Sequence, residues 1–234
     1  MANRTDNATH LYLASNSPRR RELLALCGLE FHTLNAQVDE TPLPGEGGVK
    51  YVQRLAKTKA ETASRQVGTH CLVIAADTTV VDADVAGRPA ILGKPASPGE
   101  AIKMLCGLRG HSHQVHTAIS LHPGQEGNVV SDLCTTLVPM RDYSDQEIDA
   151  YVATRDPMDK AGAYAIQHAG FHPVEKLAGC YANVMGLPLC HLTRNLIKMG
   201  LPPPADVPTE CQHALAYLCP VYTQILEGIA PDYT

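Results

Sequence analysis

The segment Leu11-Tyr12-Leu13-Ala14-Ser15-Asn16-Ser17-Pro18-Arg19-Arg20-Arg21-Glu22 constrains this chain more than any other. A short apolar run reads as a strand. Leu23, Leu24, Leu26 and Cys27 then follow at helical spacing, so strand and helix meet in a tight turn. Ser17 is a good N-cap, and Pro18 suits the first helical position, where no backbone donor is needed. Adjacent arginines at the positive end of a helix dipole are unfavourable by themselves. They make sense where an anion sits on the free N–H groups, so the turn reads as a phosphate site.

Helical and strand patterns alternate along the rest of the chain, which places it in the α/β class. The helix after the turn is expected over 18–28, closing at Gly28. Phe31 to Val38 is expected as a strand. Residues 49–66 are expected as a helix with Val49, Val52, Leu55, Ala56 and Ala60 on one face. Leu72 to Ala76 reads as a buried strand that ends at Asp77. Residues 80–93 read as a strand, a turn at Asp82-Ala83-Asp84 and a return strand. Ser97-Pro98-Gly99-Glu100 and Ser144-Asp145-Gln146-Glu147 read as capping boxes opening two helices. Val115–Leu121 and Leu133–Val138 read as strands joined by a turn at 124–127. Val174–Leu177 reads as a short strand and Leu187–Met199 as a helix. Beyond residue 200 there are six prolines and no Lys or Arg. This stretch reads as a packing tail with Leu215, Leu218, Tyr222 and Ile225 on one helical face.

Charge and composition exclude several classes. With 19 basic and 24 acidic residues the net charge is −5, which argues against a nucleic-acid partner. No Trp and two Phe leave little material for base-stacking platforms. No apolar run reaches the roughly 18 residues of a membrane span, and the polar start, Met1 to His10, lacks a signal-peptide core. A cytoplasmic protein is expected. The eight cysteines form no C-x-x-C pair and read as reduced, buried thiols. His111, His113 and His116 read as a solvated strand end rather than a metal cluster.

Several common catalytic motifs are missing: no G-x-S-x-G, H-E-x-x-H or G-x-G-x-x-G occurs. In Gly87 to Pro95 the glycines are one residue too far apart for a P-loop, and Pro95 replaces the metal-binding hydroxyl. Lys94 is still able to reach a phosphate. Asp77, closing an apolar strand, must be paired, hydrated or metal-bound, unless it is a turn or cap aspartate. Glu40 offers a second oxygen ligand for a hard cation, or is a solvated acid beside Asp39. Lys59 lies on a helix and either faces a site or snorkels. In Asp159 to Gln167 small residues allow close backbone approach. There Gln167 either reads a base edge with its amide or caps a packing turn.

Taken in order, Ser15-x-Ser17-Pro18-Arg19-Arg20, Val38-Asp39-Glu40, Lys59-Ala60, Ala76-Asp77-Thr78, Gly93-Lys94-Pro95, Asp159-Lys160-Ala161-Gly162-x-Tyr164-x-Ile166-Gln167 and Gly186-Leu187-Pro188 resemble the Maf family of nucleoside triphosphate pyrophosphatases, also called septum-formation inhibitors. The resemblance spans residues 10–200, leaving 1–9 as an expected disordered N-terminus and 201–234 as a Pro-rich extension. It implies an elongated, twisted mixed sheet flanked by helices, related to inosine triphosphate pyrophosphatases, with a central cleft. It implies a hydrolase dependent on a divalent metal (Mg²⁺ or Mn²⁺), working as a homodimer, that converts a nucleoside triphosphate to the monophosphate and pyrophosphate. By position, Asp77 matches the proton acceptor and Glu40 joins it near the metal. Ser15, Arg20, Lys59 and Lys94 match phosphate contacts; Arg19, Thr78 and Gln167 match positions tied to substrate choice. Arg19 and Thr78 favour the dTTP/UTP branch over the 7-methyl-GTP branch, which carries Trp and Gln there. His168 departs from the family's usual Gly. The rival readings are a non-catalytic nucleotide-binding regulator of septum formation and a phosphotransferase.

Overall fold

The structure, a computed structural model, describes residues 9–83, 87–124 and 127–231. Nearly all of the expected N-terminal disorder, the Asp84 tip of one expected turn and residues 125–126 of another lie outside the described residues. Six strands form one mixed sheet: β1 (His10–Ala14), β2 (Phe31–Leu34), β3 (Cys71–Ala83), β4 (Pro89–Leu92), β5 (Ser112–Pro123) and β6 (Val130–Pro139). The order is β2-β1-β3-β5-β6, with β4 added to β3. β1 runs parallel to both β2 and β3, while β4 and β5 run antiparallel to β3. Helices α1 (Pro18–Ala25), α2 (Gly48–Ser64), α3 (Pro98–Leu108), α4 (Asp145–Ala153), α5 (Tyr181–Met185), α6 (Leu189–Lys198), α7 (Val207–Ala214) and α8 (Tyr222–Glu227) flank it.

β3 is the spine, and its two edges differ. β5 pairs along one edge from Leu72↔Pro123 to Val81↔Gln114. On the other edge β1 pairs only as far as Leu13↔Ile74, and β4 begins at Val80↔Leu92. Between them the sheet has a gap beside residues 75–79. Strand alternation sorts the side chains. Leu72, Ile74 and Ala76 enter a core with Leu23, Leu24 and Leu192 from α1 and α6. Val73 and Ala75 pack with Ala60 and Ala63 of α2 on the opposite face. A further core joins Val80 to Leu105 and Leu108 of α3 and Ile148 of α4.

Several expectations need correction. β3 does not stop at Asp77: β-branched Thr78, Thr79, Val80 and Val81 suit a strand, and β5 pairs across all of them, so Asp77 lies mid-strand. β2 ends at Leu34 rather than Val38, since no partner follows β1 beyond Ala14. α1 ends at Ala25, three residues before Gly28. Val174 makes a single bridge with Met140 rather than a strand. Ser144 and Glu147 form a reciprocal capping box. At Ser97 only half of it exists, because the Glu100 carboxylate accepts from Ala96 N instead. His113 and His116 are buried, not solvated: His113 Nε2 meets Tyr164 Oη at 2.8 Å, and His116 Nδ1 meets Thr135 Oγ1 at 2.8 Å. His111 is the exposed one, beside Asp82. All eight cysteines are free thiols; five are buried, but Cys106 is exposed.

Past residue 200 the chain turns back onto the first core, burying Val207, Val221 and Ile225. Tyr217 Oη donates to Leu177 O at 2.8 Å and Gly179 O at 2.9 Å, and Arg194 Nη1 donates to Ile225 O at 2.7 Å. Leu218 does not share that face and is 88% exposed, because two separate helices with Pro220 between them do not keep one phase. Among the described residues no helix is long and apolar enough to cross a membrane.

Candidate active site

The gap in the sheet opens into a cleft of about 990 Å³. It is lined by Ser15, Arg19, Arg20, Glu40, Lys59, Asp77, Thr78, Lys94 and Gln167, all nine residues singled out from the sequence. Alternation turns Asp77 toward α2 and Thr78 toward α1, and the gap lets both faces contribute to one cavity.

On the α2 side, Lys59 Nζ donates to Asp77 Oδ1 at 2.6 Å and lies 2.6 Å from Glu40 Oε1. Asp77 is only 7% exposed. Its burial pushes the carboxyl above the usual aspartate range; Lys59 and Arg20 pull it back, and Glu40 adds to the push. Burial also opposes charge on Glu40, but the Lys59 hydrogen bond and charge prevail and hold it below its ordinary value.

On the α1 side, the Ser17 hydroxyl caps the helix by accepting from Arg20 N, with Pro18 in the first turn. Arg20 then folds inward. Its Nε donates to Gly186 O at 2.8 Å, Nη2 to Thr78 Oγ1 at 3.1 Å, and Nη1 to Ser15 Oγ at 3.4 Å. Thr117 Oγ1 donates to Asn183 O at 2.9 Å, so in its 2.9 Å bond with Thr78 the threonine at 78 must be the donor. The single hydroxyl proton of Thr78 is thus used inside the protein. Gly186 has φ of 109°, and a Cβ there would come within 3.2 Å of Thr78 Oγ1 and 3.4 Å of Arg20 Nε. Only glycine presents its carbonyl to Arg20 at this spot without strain.

Arg19, Lys94 and Gln167 complete the lining and make no side-chain hydrogen bond or ion pair with the described residues. Sequence reasoning missed two further lining residues. Lys160 is buried, with Nζ held by Asp156 O at 2.5 Å, Asp156 Oδ1 at 2.9 Å and Asp159 Oδ1 at 2.6 Å. Tyr51 Oη donates to Glu40 O at 2.9 Å. The signal for Tyr51 was its place eight residues before Lys59, two turns away on the same helix; for Lys160 it was a lone cation among small residues. His168 stays out of the lining. Its Nδ1 accepts from Phe171 N at 3.0 Å, and its ring sits 4.7 Å from that of Tyr151.

Two carboxylates that converge on one ammonium fit a hard cation shared between them. Among the described residues no third His, Cys, Asp or Glu joins them. Such a pair suits a metal that takes its other ligands from water and phosphate oxygens, as Mg²⁺ does.

A family model described as Maf-like protein matches residues 10–199. The dTTP/UTP pyrophosphatase of Geobacter sulfurreducens is 43% identical over 191 residues, 81% of this chain and 96% of that protein. The dTTP/UTP pyrophosphatase of Dehalococcoides mccartyi is 43% identical over 197 residues, 84% of this chain and 85% of that protein. The solved Staphylococcus aureus Ham1 protein superposes with a TM-score of 0.41 at 21% identity, covering 57% of this chain and 73% of its own, too loose a likeness to carry weight.

Proposed function

The chain belongs to the Maf family, and from that premise we propose that it is a nucleoside triphosphate pyrophosphatase that splits dTTP and UTP between the α- and β-phosphates. The observation that carries this reading is Asp77, buried mid-strand at a gap in the sheet and facing a cleft that gathers Arg19, Arg20, Lys59 and Lys94. Two proteins named for this activity share 43% of their aligned residues with it.

Asp77 accepts the proton of the attacking water, and burial keeps its carboxylate a better base than a solvated one. Arg20, already oriented by Gly186 and Thr78, offsets charge on the triphosphate without reorganising. Among the described residues Lys94 and Arg19 make no side-chain hydrogen bond or ion pair, which leaves them available to phosphate oxygens or the base. Lys59 leaves the carboxylate pair as substrate arrives and turns to the departing pyrophosphate. Asp77 and Glu40 are the residues that would hold a divalent cation, which when bound supplies Lewis-acid polarisation and charge neutralisation. Gln167, exposed at the cleft, reads the pyrimidine edge, while Thr78 acts on substrate choice through Arg20. Because His168 packs away from the cleft, its departure from glycine leaves the nucleotide preference intact.

We further read residues 10–200 as the catalytic unit and 201–234 as an extension that braces it, on the strength of Val207, Val221 and Ile225. Free thiols throughout agree with a reducing, cytoplasmic setting. A homodimer is the assembly the resemblance implies, and light scattering reads it directly. The central test is pyrophosphate release from dTTP, UTP, CTP and 7-methyl-GTP, with and without Mg²⁺. Release from dTTP and UTP supports the reading; release from 7-methyl-GTP alone, or nucleotide binding without turnover, overturns it.

A further inference from the structure

Glu40 belongs to the segment between Leu34 and Gly48, which has no helix or strand of its own. Its side chain is 51% exposed, and its ion pair is with Lys59. With its carboxylate end open to solvent, this one pair is too weak a hold for a loop rich in Pro and Gly. Something else fixes Glu40 over the cleft.

That something lies on the first two turns of α2. Tyr51 Oη donates to the Glu40 carbonyl at 2.9 Å, and Arg54 Nη2 donates to the Thr41 carbonyl at 3.2 Å. Arg54 is itself locked by Glu46: Nε to Oε1 at 2.7 Å and Nη2 to Oε2 at 2.6 Å, the two-point geometry that makes such pairs rigid. The Glu46 side chain is 7% exposed, and its Oε2 also accepts from Leu43 N at 3.0 Å. The guanidinium lies 5.6 Å from the centre of the Tyr51 ring. The loop is therefore pinned at two successive peptides, Glu40–Thr41 and Thr41–Pro42, and again at Leu43 and Glu46. The same helix carries Lys59 a few turns on, so one rigid rod sets both partners of the carboxylate–ammonium contact. Neither Arg54 nor Glu46 lines the cleft.

We infer that Arg54 and Glu46, with Tyr51, form a strut that positions Glu40 against Lys59 and Asp77, and that Arg54 is a positioning residue for cation binding and turnover. The inference rests on the reading of Glu40 as a carboxylate of the cation site. The test is Mn²⁺ binding to the nucleotide-free protein, followed by electron paramagnetic resonance, beside kcat and KM for dTTP. Arg54→Gln is expected to weaken Mn²⁺ about tenfold, as loss of a supporting contact typically does. Glu40→Gln is expected to weaken it at least as much, and the Arg54→Gln/Glu40→Gln pair no more than Glu40→Gln alone. Tyr51→Phe removes one pin while leaving the ion pair, and is expected to shift Mn²⁺ affinity the same way by about threefold. If Arg54→Gln costs as much in the Glu40→Gln background as in the wild type, the arginine serves only the fold and the inference fails. If Glu40→Gln binds Mn²⁺ and turns over dTTP like the wild type, the reading of Glu40 fails, and the strut with it.

Discussion

Leu72 to Ile74 and Asp77 to Thr79 lie on one strand, yet they live in different surroundings. The first stretch is paired on both edges and packs apolar side chains on both faces. The second has one edge open and carries an aspartate and two threonines. The first stretch holds the fold; the second uses the rigidity so obtained to keep a carboxylate where solvation is poor. On the proposed reading, stability and activity separate within a few residues of the same strand.

The sharpest way to break that contrast is Asp77→Asn. Turnover is expected to fall about 10³-fold, the scale of a lost general base, in a steady-state pyrophosphate assay. The melting temperature should not fall. A carboxyl whose folded pKa is raised contributes stability only below its unfolded value, and that contribution is lost as pH rises through the folded pKa. At neutral pH the ionised Asp77 therefore costs stability, and Asn relieves the cost. A melting point several degrees lower would show that Asp77 holds the fold after all.

Ile74→Ala, on the other side of the comparison, should lower unfolding free energy by about 2–5 kcal/mol in urea titrations. The fraction that stays folded should keep near-normal kcat. A selective loss of kcat would erase the division between the two stretches.

Buried histidines extend the contrast to groups that never need to be charged. Burial pushes His113 and His191 down to about 4. Their neutral forms are favoured in the folded state, so their contribution is complete above about pH 6.5 and is lost as pH falls toward 4. Each accounts for roughly 3 kcal/mol at most. Chemical denaturation between pH 7 and 4 should show a steep fall that weakens in His113→Gln.

The smallest expected effect concerns the acid limb of kcat/KM. With Asp77 as the base, that limb lies above the ordinary aspartate value of 3.8. Lys59→Met should move it up, since Lys59 favours the charged carboxylate. Glu40→Gln should move it down, since Glu40 disfavours it. Shifts of the opposite sign would place the titrating group elsewhere.

Local chemistry was readable without coordinates wherever it depended on neighbours in the chain. Ser17 and Pro18 start α1 as their residue types require, α2 follows the spacing of Val52, Leu55, Ala56 and Ala60, and Ser144 with Glu147 caps α4. Nine of the residues that line the cleft were identifiable because each sits in a short motif, and the motifs together resemble the Maf family. What failed were features decided by distant partners. Asp77 looked like a strand end because the apolar run stops there; β5 carries the strand past it. His113 and His116 looked solvated because nothing local buries them; Tyr164, 51 residues away, and Thr135, 19 away, do so. Tyr51, two turns before Lys59, and Lys160, a lone cation among small residues, carried local signals whose meaning only the assembled cleft makes plain.

By itself, then, the sequence determined the α/β alternation, the helix starts and the identity of the charged groups, since propensity, capping and charge act over a few residues. Only the tertiary structure decided that β1 stops pairing at Ile74 and β4 begins at Val80, which creates the gap that turns those groups into one site. It likewise decided that Lys59 lies between Asp77 and Glu40, and that Arg20 is oriented by Gly186 and Thr78. The physical reason is that burial and pairing are properties of surroundings. A carboxylate's basicity and a guanidinium's direction are set by groups tens of residues away, and those groups meet only once the sheet has closed around them.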